Sequence, residues 1–139
     1  TLFNGGFGQN TVRNNIFAFG GDGQVSLSCI EQHRSFTFCH NIVLFDSGVL
    51  FAPPHVGTIE ATSLAWDHNL YFDHRRSRVT LGGLSWTKWR QLGFDRHSVV
   101  ADPGFDNAQQ RRFQLKKNSP AHRIGFQPFD LSNTGPRRT

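Results

Sequence analysis

The sequence predicts an all-β fold: a right-handed parallel β-helix (a solenoid) of about three coils, with a short helix and an irregular C-terminal cap. Three observations predict it. An Asn followed by an apolar and aromatic run occurs three times, led by Asn15, Asn41 and Asn69. The leaders are nearly evenly spaced, 26 and then 28 residues apart. The 139 residues include 14 Phe, 3 Trp and 14 Gly, which suits short strands divided by tight turns. A steady period of this length is the signature of stacked repeats.

The three runs are Asn14-Asn15-Ile16-Phe17-Ala18-Phe19, His40-Asn41-Ile42-Val43-Leu44-Phe45-Asp46 and His68-Asn69-Leu70-Tyr71-Phe72-Asp73. A short apolar run bounded by turn residues fits a strand covered on both faces, as in a parallel sheet. Each leading Asn is expected in a tight turn, because Asn tolerates the left-handed backbone. Stacking would bring Asn15, Asn41 and Asn69 into one column whose amides bond along it. Asn14, His40 and His68 would form the column beside it.

Further strands are expected at Gln24–Ile30, Arg34–Phe38, Val49–Phe51, Thr58–Ala61 and Val79–Leu81, with turns at Gly20–Gly23 and Asp46–Gly48. Ala52–Gly57 reads as a loop, since Pro53-Pro54 cannot feed a central ladder. Ser85–Gly93 predicts a short helix, with Ser85 as N-cap and Gly93 as the stop. Trp86, Trp89 and Leu92 share roughly one of its faces. Residues 1–84 are thus assigned to coils, 85–130 to the helix and cap of the same domain, and 131–139 to a disordered tail.

The formal net charge is +5, from 15 Lys and Arg against 10 Asp and Glu. That excess favours polyanions, whether nucleic acid, anionic lipid or acidic polysaccharide. The basic residues lie in small groups that a solvated surface also explains, and they are not interleaved with aromatics as in nucleic-acid modules. Nucleic acid therefore ranks last as a partner. No run of 18 apolar residues predicts a membrane span. Cys29 and Cys39 lack metal-site spacing and are open to either a disulfide or two buried thiols. HExxH, Walker A and paired CxxC patterns do not occur.

Four stretches carry a family resemblance: Val12–Phe19, Ser35–Phe38 with Asn41-Ile42-Val43, Asp67–Tyr71, and the tail from Gly93–Pro103 through Phe113-Gln114-Leu115 to Ser119-Pro120-Ala121. Together they resemble the C-terminal part of bacterial right-handed parallel β-helix proteins of the pectate-lyase-like superfamily, many of them polysaccharide lyases or glycoside hydrolases. The resemblance implies an extracytoplasmic protein acting on polysaccharide, with further coils upstream that complete the active site. A fragment would expose its first rung, so association through Ile16–Phe19, with upstream coils or with itself, is expected.

Glycoside hydrolysis needs two carboxyl groups, and a lyase needs a base beside a cation. Glu31 and His33 are the catalytic candidates, with Arg34 as a carboxylate clamp; an exposed polar turn is the plainer reading of the same stretch. Trp86 and Trp89 are candidates for a sugar platform, against simple packing of the helix. A non-catalytic carbohydrate-binding or adhesion segment is the alternative function. No protein metal ligands are assigned. Ca²⁺ is considered at Asp46 and Asp73, which follow their strands at matching positions, and similarly at Asp22, where turn formation is the plainer role. His40 and His68 read as column residues rather than ligands.

Overall fold

The structure, a computed structural model, describes residues 10–26, 33–34, 36–51, 64–75 and 78–130. The expected strands at 27–30 and 58–61, Cys29, the Pro53-Pro54 loop and the tail at 131–139 lie outside them.

Nine strands line up as three parallel series. The first comprises β1 (Asn10–Arg13), β4 (Phe36–Cys39) and β7 (Leu64–Asp67). The second comprises β2 (Ile16–Ala18), β5 (Ile42–Phe45) and β8 (Leu70–Asp73), extended by β11 (Val99–Val100). The third comprises β3 (Gly23–Val25), β6 (Val49–Phe51) and β9 (Thr80–Leu81), with β10 (Leu84–Ser85) at its edge. The three Asn-led runs supply β2, β5 and β8, in register at Ile16, Ile42 and Leu70.

The expected right-handed β-helix is corrected by this arrangement. The described strands form four small sheets, and none closes on itself or continues as a solenoid sheet. Two of the sheets hold antiparallel pairs. Gly82 and Gly83, both at positive φ (57° and 80°), fold β10 back on β9. Two left-handed residues in succession give a turn whose twist matches a hairpin, so the parallel series ends there. β12 (Phe105–Asn107) pairs antiparallel with β13 (Arg112–Leu115) as a separate two-stranded sheet. Among the described residues the regular structure is mostly strand, with one α-helix.

Apolar burial on both sides of β5 holds the layers together. Val43 and Phe45 belong to one core cluster, with Phe38, Phe51, Trp66, Tyr71 and Trp89. Ile42 and Leu44 belong to another, with Leu70, Phe105, Ala121, Ile124 and Phe126. A strand covered on both faces must be apolar throughout, which explains the unbroken Ile-Val-Leu-Phe of β5. In the first cluster Phe17, Phe38 and Trp66 stack, with centroids 5.6 and 4.3 Å apart.

The helix forms where its caps predict. α1 spans Trp86–Gln91, and Ser85 Oγ accepts from Lys88 N at its start. Gly93 takes φ 99° just beyond its end. Gly48 is fixed by a close approach: at φ 66°, any Cβ there would overlap the Asp22 carbonyl, which accepts from Val49 N. No helix among the described residues is long and apolar enough to cross a membrane.

Candidate functional site

The Asn column forms, with its conformational strain placed one residue earlier than expected. The left-handed residues are Asn14, His40 and His68, at φ 55–56°, rather than the Asn that follows each. This turn aims the next side chain along the ladder. Asn15 Nδ2 donates to Asn41 Oδ1 (3.1 Å), and Asn41 Nδ2 donates to Asn69 Oδ1 (3.3 Å). The same oxygens accept from the backbone: Asn41 Oδ1 from Asn15 N, and Asn69 Oδ1 from Asn41 N. Asn41 and Asn69 are fully buried, so these bonds replace lost water.

The column ends on Asp95, a fully buried acid at φ 48°. Its Oδ1 accepts from Asn69 Nδ2 (3.2 Å) and Ser98 Oγ, and its Oδ2 from Tyr71 Oη (2.9 Å) and Trp89 Nε1 (2.7 Å). Burial pushes the carboxyl up to about 6, and the four donated bonds hold it from rising further. Burial and the Asp95 charge raise the Tyr71 hydroxyl well above its usual value.

The turns flanking this column form a rim of polar side chains. Asp67 ends β7, His68 is its left-handed neighbour, and His97 follows the Asp95 turn. Asp67 Oδ1 accepts from the backbone N–H groups of His68 and His97, both at 2.8 Å. Its Oδ2 faces the imidazoles, 2.7 Å from His97 Nδ1 and 3.5 Å from His68 Nδ1. Burial alone would raise this carboxyl, but the His97 side-chain and backbone bonds and the His68 backbone bond outweigh it, so the Asp67 value is lowered. The rings of His68 and His97 stack at 4.9 Å and 19°. His40 continues the column, its ring 5.3 Å from that of His68.

A second feature is a cleft of about 570 Å³ beside β13. Arg111, Arg112, Phe113, Phe126 and Phe129 line it, together with Asp106 and Asp130. Arg112 pairs with Asp106 at 3.3 Å, and both side chains are more than half exposed.

The expected site residues are dispersed. Glu31 lies outside the described residues, and His33 and Arg34 are exposed. Trp89 is fully buried, stacked on Phe94 and bonded to Asp95, so its ring face is not open to a sugar. Trp86 is half-buried, edge-on to Tyr71, with the Arg90 guanidinium 5.8 Å from its ring centroid. Asp46 and Asp73 do not match in register, since Asp73 pairs with Phe45. Arg75 forks onto both Asp73 oxygens, with Nε and Nη2 each at 2.9 Å. Cys39 carries a free thiol.

Sequence reasoning missed Asp67, His97 and Asp95 as site residues. The adjacent pair Asp67-His68 was the one available signal, because His97 is 30 residues further along the chain. Comparison with family models, characterised proteins and solved structures gives no match, and so identifies no pectate-lyase-like relative.

Proposed function

We propose that this chain is part of an extracytoplasmic protein acting on polysaccharide, and that its own contribution is to hold an acidic sugar chain in the cleft beside β13. The observation that carries this reading is the pairing of Arg111 and Arg112 with the partly exposed rings of Phe113 and Phe129 in one cleft. A guanidinium matches a uronate carboxylate through two parallel hydrogen bonds. An aromatic face packs against the apolar face of a sugar ring. The solvent-exposed Arg112–Asp106 pair is weak enough for a ligand carboxylate to replace Asp106. The +5 net charge favours approach of a polyanion.

The same cleft favours a second reading, glycoside hydrolysis, because Asp106 and Asp130 supply the two carboxyl groups that this chemistry needs.

The test is a binding series with polygalacturonate, alginate, neutral dextran and duplex DNA, followed by product analysis. Binding to the acidic polysaccharides alone is expected, weakened at least ~10-fold when Arg111→Ala and Arg112→Ala are combined. Equal binding to dextran, or tighter binding to DNA, would contradict the proposal. Sugar release lost in Asp106→Asn would favour the hydrolase, whereas an ultraviolet-absorbing unsaturated product would indicate a lyase.

A further inference from the structure

We propose that Asp67, His68 and His97 form a binding site for a divalent transition-metal ion of the Zn²⁺ type. One carboxylate oxygen and one ring nitrogen from each histidine lie within 4.8 Å of one another. Tetrahedral coordination at ordinary Zn–N and Zn–O bond lengths puts donor atoms about 3.4 Å apart. The distances from Asp67 Oδ2 to His97 Nδ1 and His68 Nδ1, 2.7 and 3.5 Å, lie on either side of this spacing, so small side-chain rotations reach it. The rings are free to make them, since the His97 side chain is 67% exposed and that of His68 42%.

The backbone organises these donors in advance. Two N–H groups hold Asp67 Oδ1, leaving Oδ2 turned toward the imidazoles. Held carboxylates of this kind orient metal ligands and raise affinity. His68 is fixed by its left-handed turn, and His97 by the Asp95 turn two residues before it. The near-parallel stack sets the two rings face to face, 4.9 Å apart, with both Nδ1 atoms beside the one carboxylate oxygen. An Asp–His pair for proton transfer would need one imidazole; the second, beside the same carboxylate, is what points to a metal.

The donor chemistry selects the ion. Two imidazoles and one carboxylate suit Zn²⁺, Co²⁺, Ni²⁺ and Cu²⁺. Ca²⁺ prefers six to eight oxygens and is poorly served here. Three protein donors on an exposed rim leave a coordination position for water or a ligand oxygen. The site shares no residue with the cleft beside β13 and does not depend on the polysaccharide reading.

The full chain is titrated with Co²⁺, and tetrahedral binding is read from visible absorption, with Zn²⁺ and Ca²⁺ as competitors. One Co²⁺ per chain is expected, displaced by Zn²⁺ and not by Ca²⁺. His97→Ala, His68→Ala and Asp67→Asn should each weaken binding at least ~10-fold. His122→Ala, an exposed histidine elsewhere, should leave it unchanged. His97→Ala also removes the exposed bond to Asp67, so its unfolding midpoint is read beside the titration, and a drop of no more than an exposed ion pair is worth separates lost binding from lost fold. Absence of Co²⁺ binding by the parent chain would overturn the proposal. So would equal affinity in the His68→Ala/His97→Ala double variant, or Ca²⁺ competing on equal terms.

Discussion

The Asn69 side-chain amide donates to Asp95 Oδ1 at 3.2 Å, so the buried column of amides ends on a carboxylate. An amide column has a donor and an acceptor to satisfy at each end, and burial makes an unsatisfied end costly. Asp95 accepts at this end, and its remaining capacity is filled by Ser98, Tyr71 and Trp89. The carboxylate thereby ties the Asn column to the aromatic core and to α1.

Removing that acceptor should destabilise the whole fold. In Asp95→Asn, one of two accepting oxygens becomes an NH₂ group facing donors. A loss of about 3 kcal/mol is expected. Urea unfolding followed by Trp fluorescence measures it, and a change under 0.5 kcal/mol would remove Asp95 from its structural role.

The middle of the column is equally exposed to test. Asn41 Nδ2 donates to Val12 O (2.9 Å) as well as to Asn69. Asn41→Leu would strand the Val12 carbonyl and the Asn15 N–H, at a cost of about 2–4 kcal/mol. Asn118→Leu, at an exposed position, is the comparison and should stay within about 0.5 kcal/mol. Equal effects at both positions would show that the column adds nothing.

Acidity should act through two carboxyls in opposite directions. Asp95 titrates near 6 when folded, above its ordinary 3.8. As pH rises between those values, the unfolded chain releases this proton first. The folded state then binds more protons, and stability falls across the window by something on the order of 3 kcal/mol. Asp67 is lowered on folding, so its contribution is present above 3.8 and is lost as pH falls through the folded value. Wild type should therefore melt higher at pH 5 than at pH 7, and Asp95→Asn should lose most of that difference. An equal pH 5 to pH 7 difference in both proteins would contradict the assignment.

Much of this was legible in the sequence, where the signals are local. The Asn period marks β2, β5 and β8, because side chains that bond along a column must recur with the strands that carry them. Ser85 and Gly93 mark α1 through its caps. The predicted coils failed at Gly82-Gly83, where a local turn reverses the chain and outweighs the continuing pattern. Asp95 was not legible, because its partners Asn69 and Tyr71 lie 26 and 24 residues away and nothing in the sequence joins them. Trp86 and Trp89 look alike in sequence. Only the fold shows that one is buried against Phe94 while the other remains half-buried.

Strand β2 makes a separate expectation. It is the outermost described strand of its sheet, and Ile16, Phe17 and Ala18 are all half-buried. Strand edges of this kind pair with other chains. Concentration-dependent association is expected in light scattering, reduced by Phe17→Lys; a monodisperse monomer at all concentrations would count against it.

The Asn-led strands lie parallel and in register, with the Asn column between their turns. Amide hydrogen exchange read residue by residue tests it most directly. The N–H groups of Ile42, Leu70 and Val99 donate to the carbonyls of Asn15, Asn41 and Asn69 at 2.8–2.9 Å. These three amides should exchange only through global unfolding, and together, while that of exposed Lys117 exchanges far faster. Exchange of Ile42, Leu70 and Val99 at loop rates would contradict the register and the column built on it.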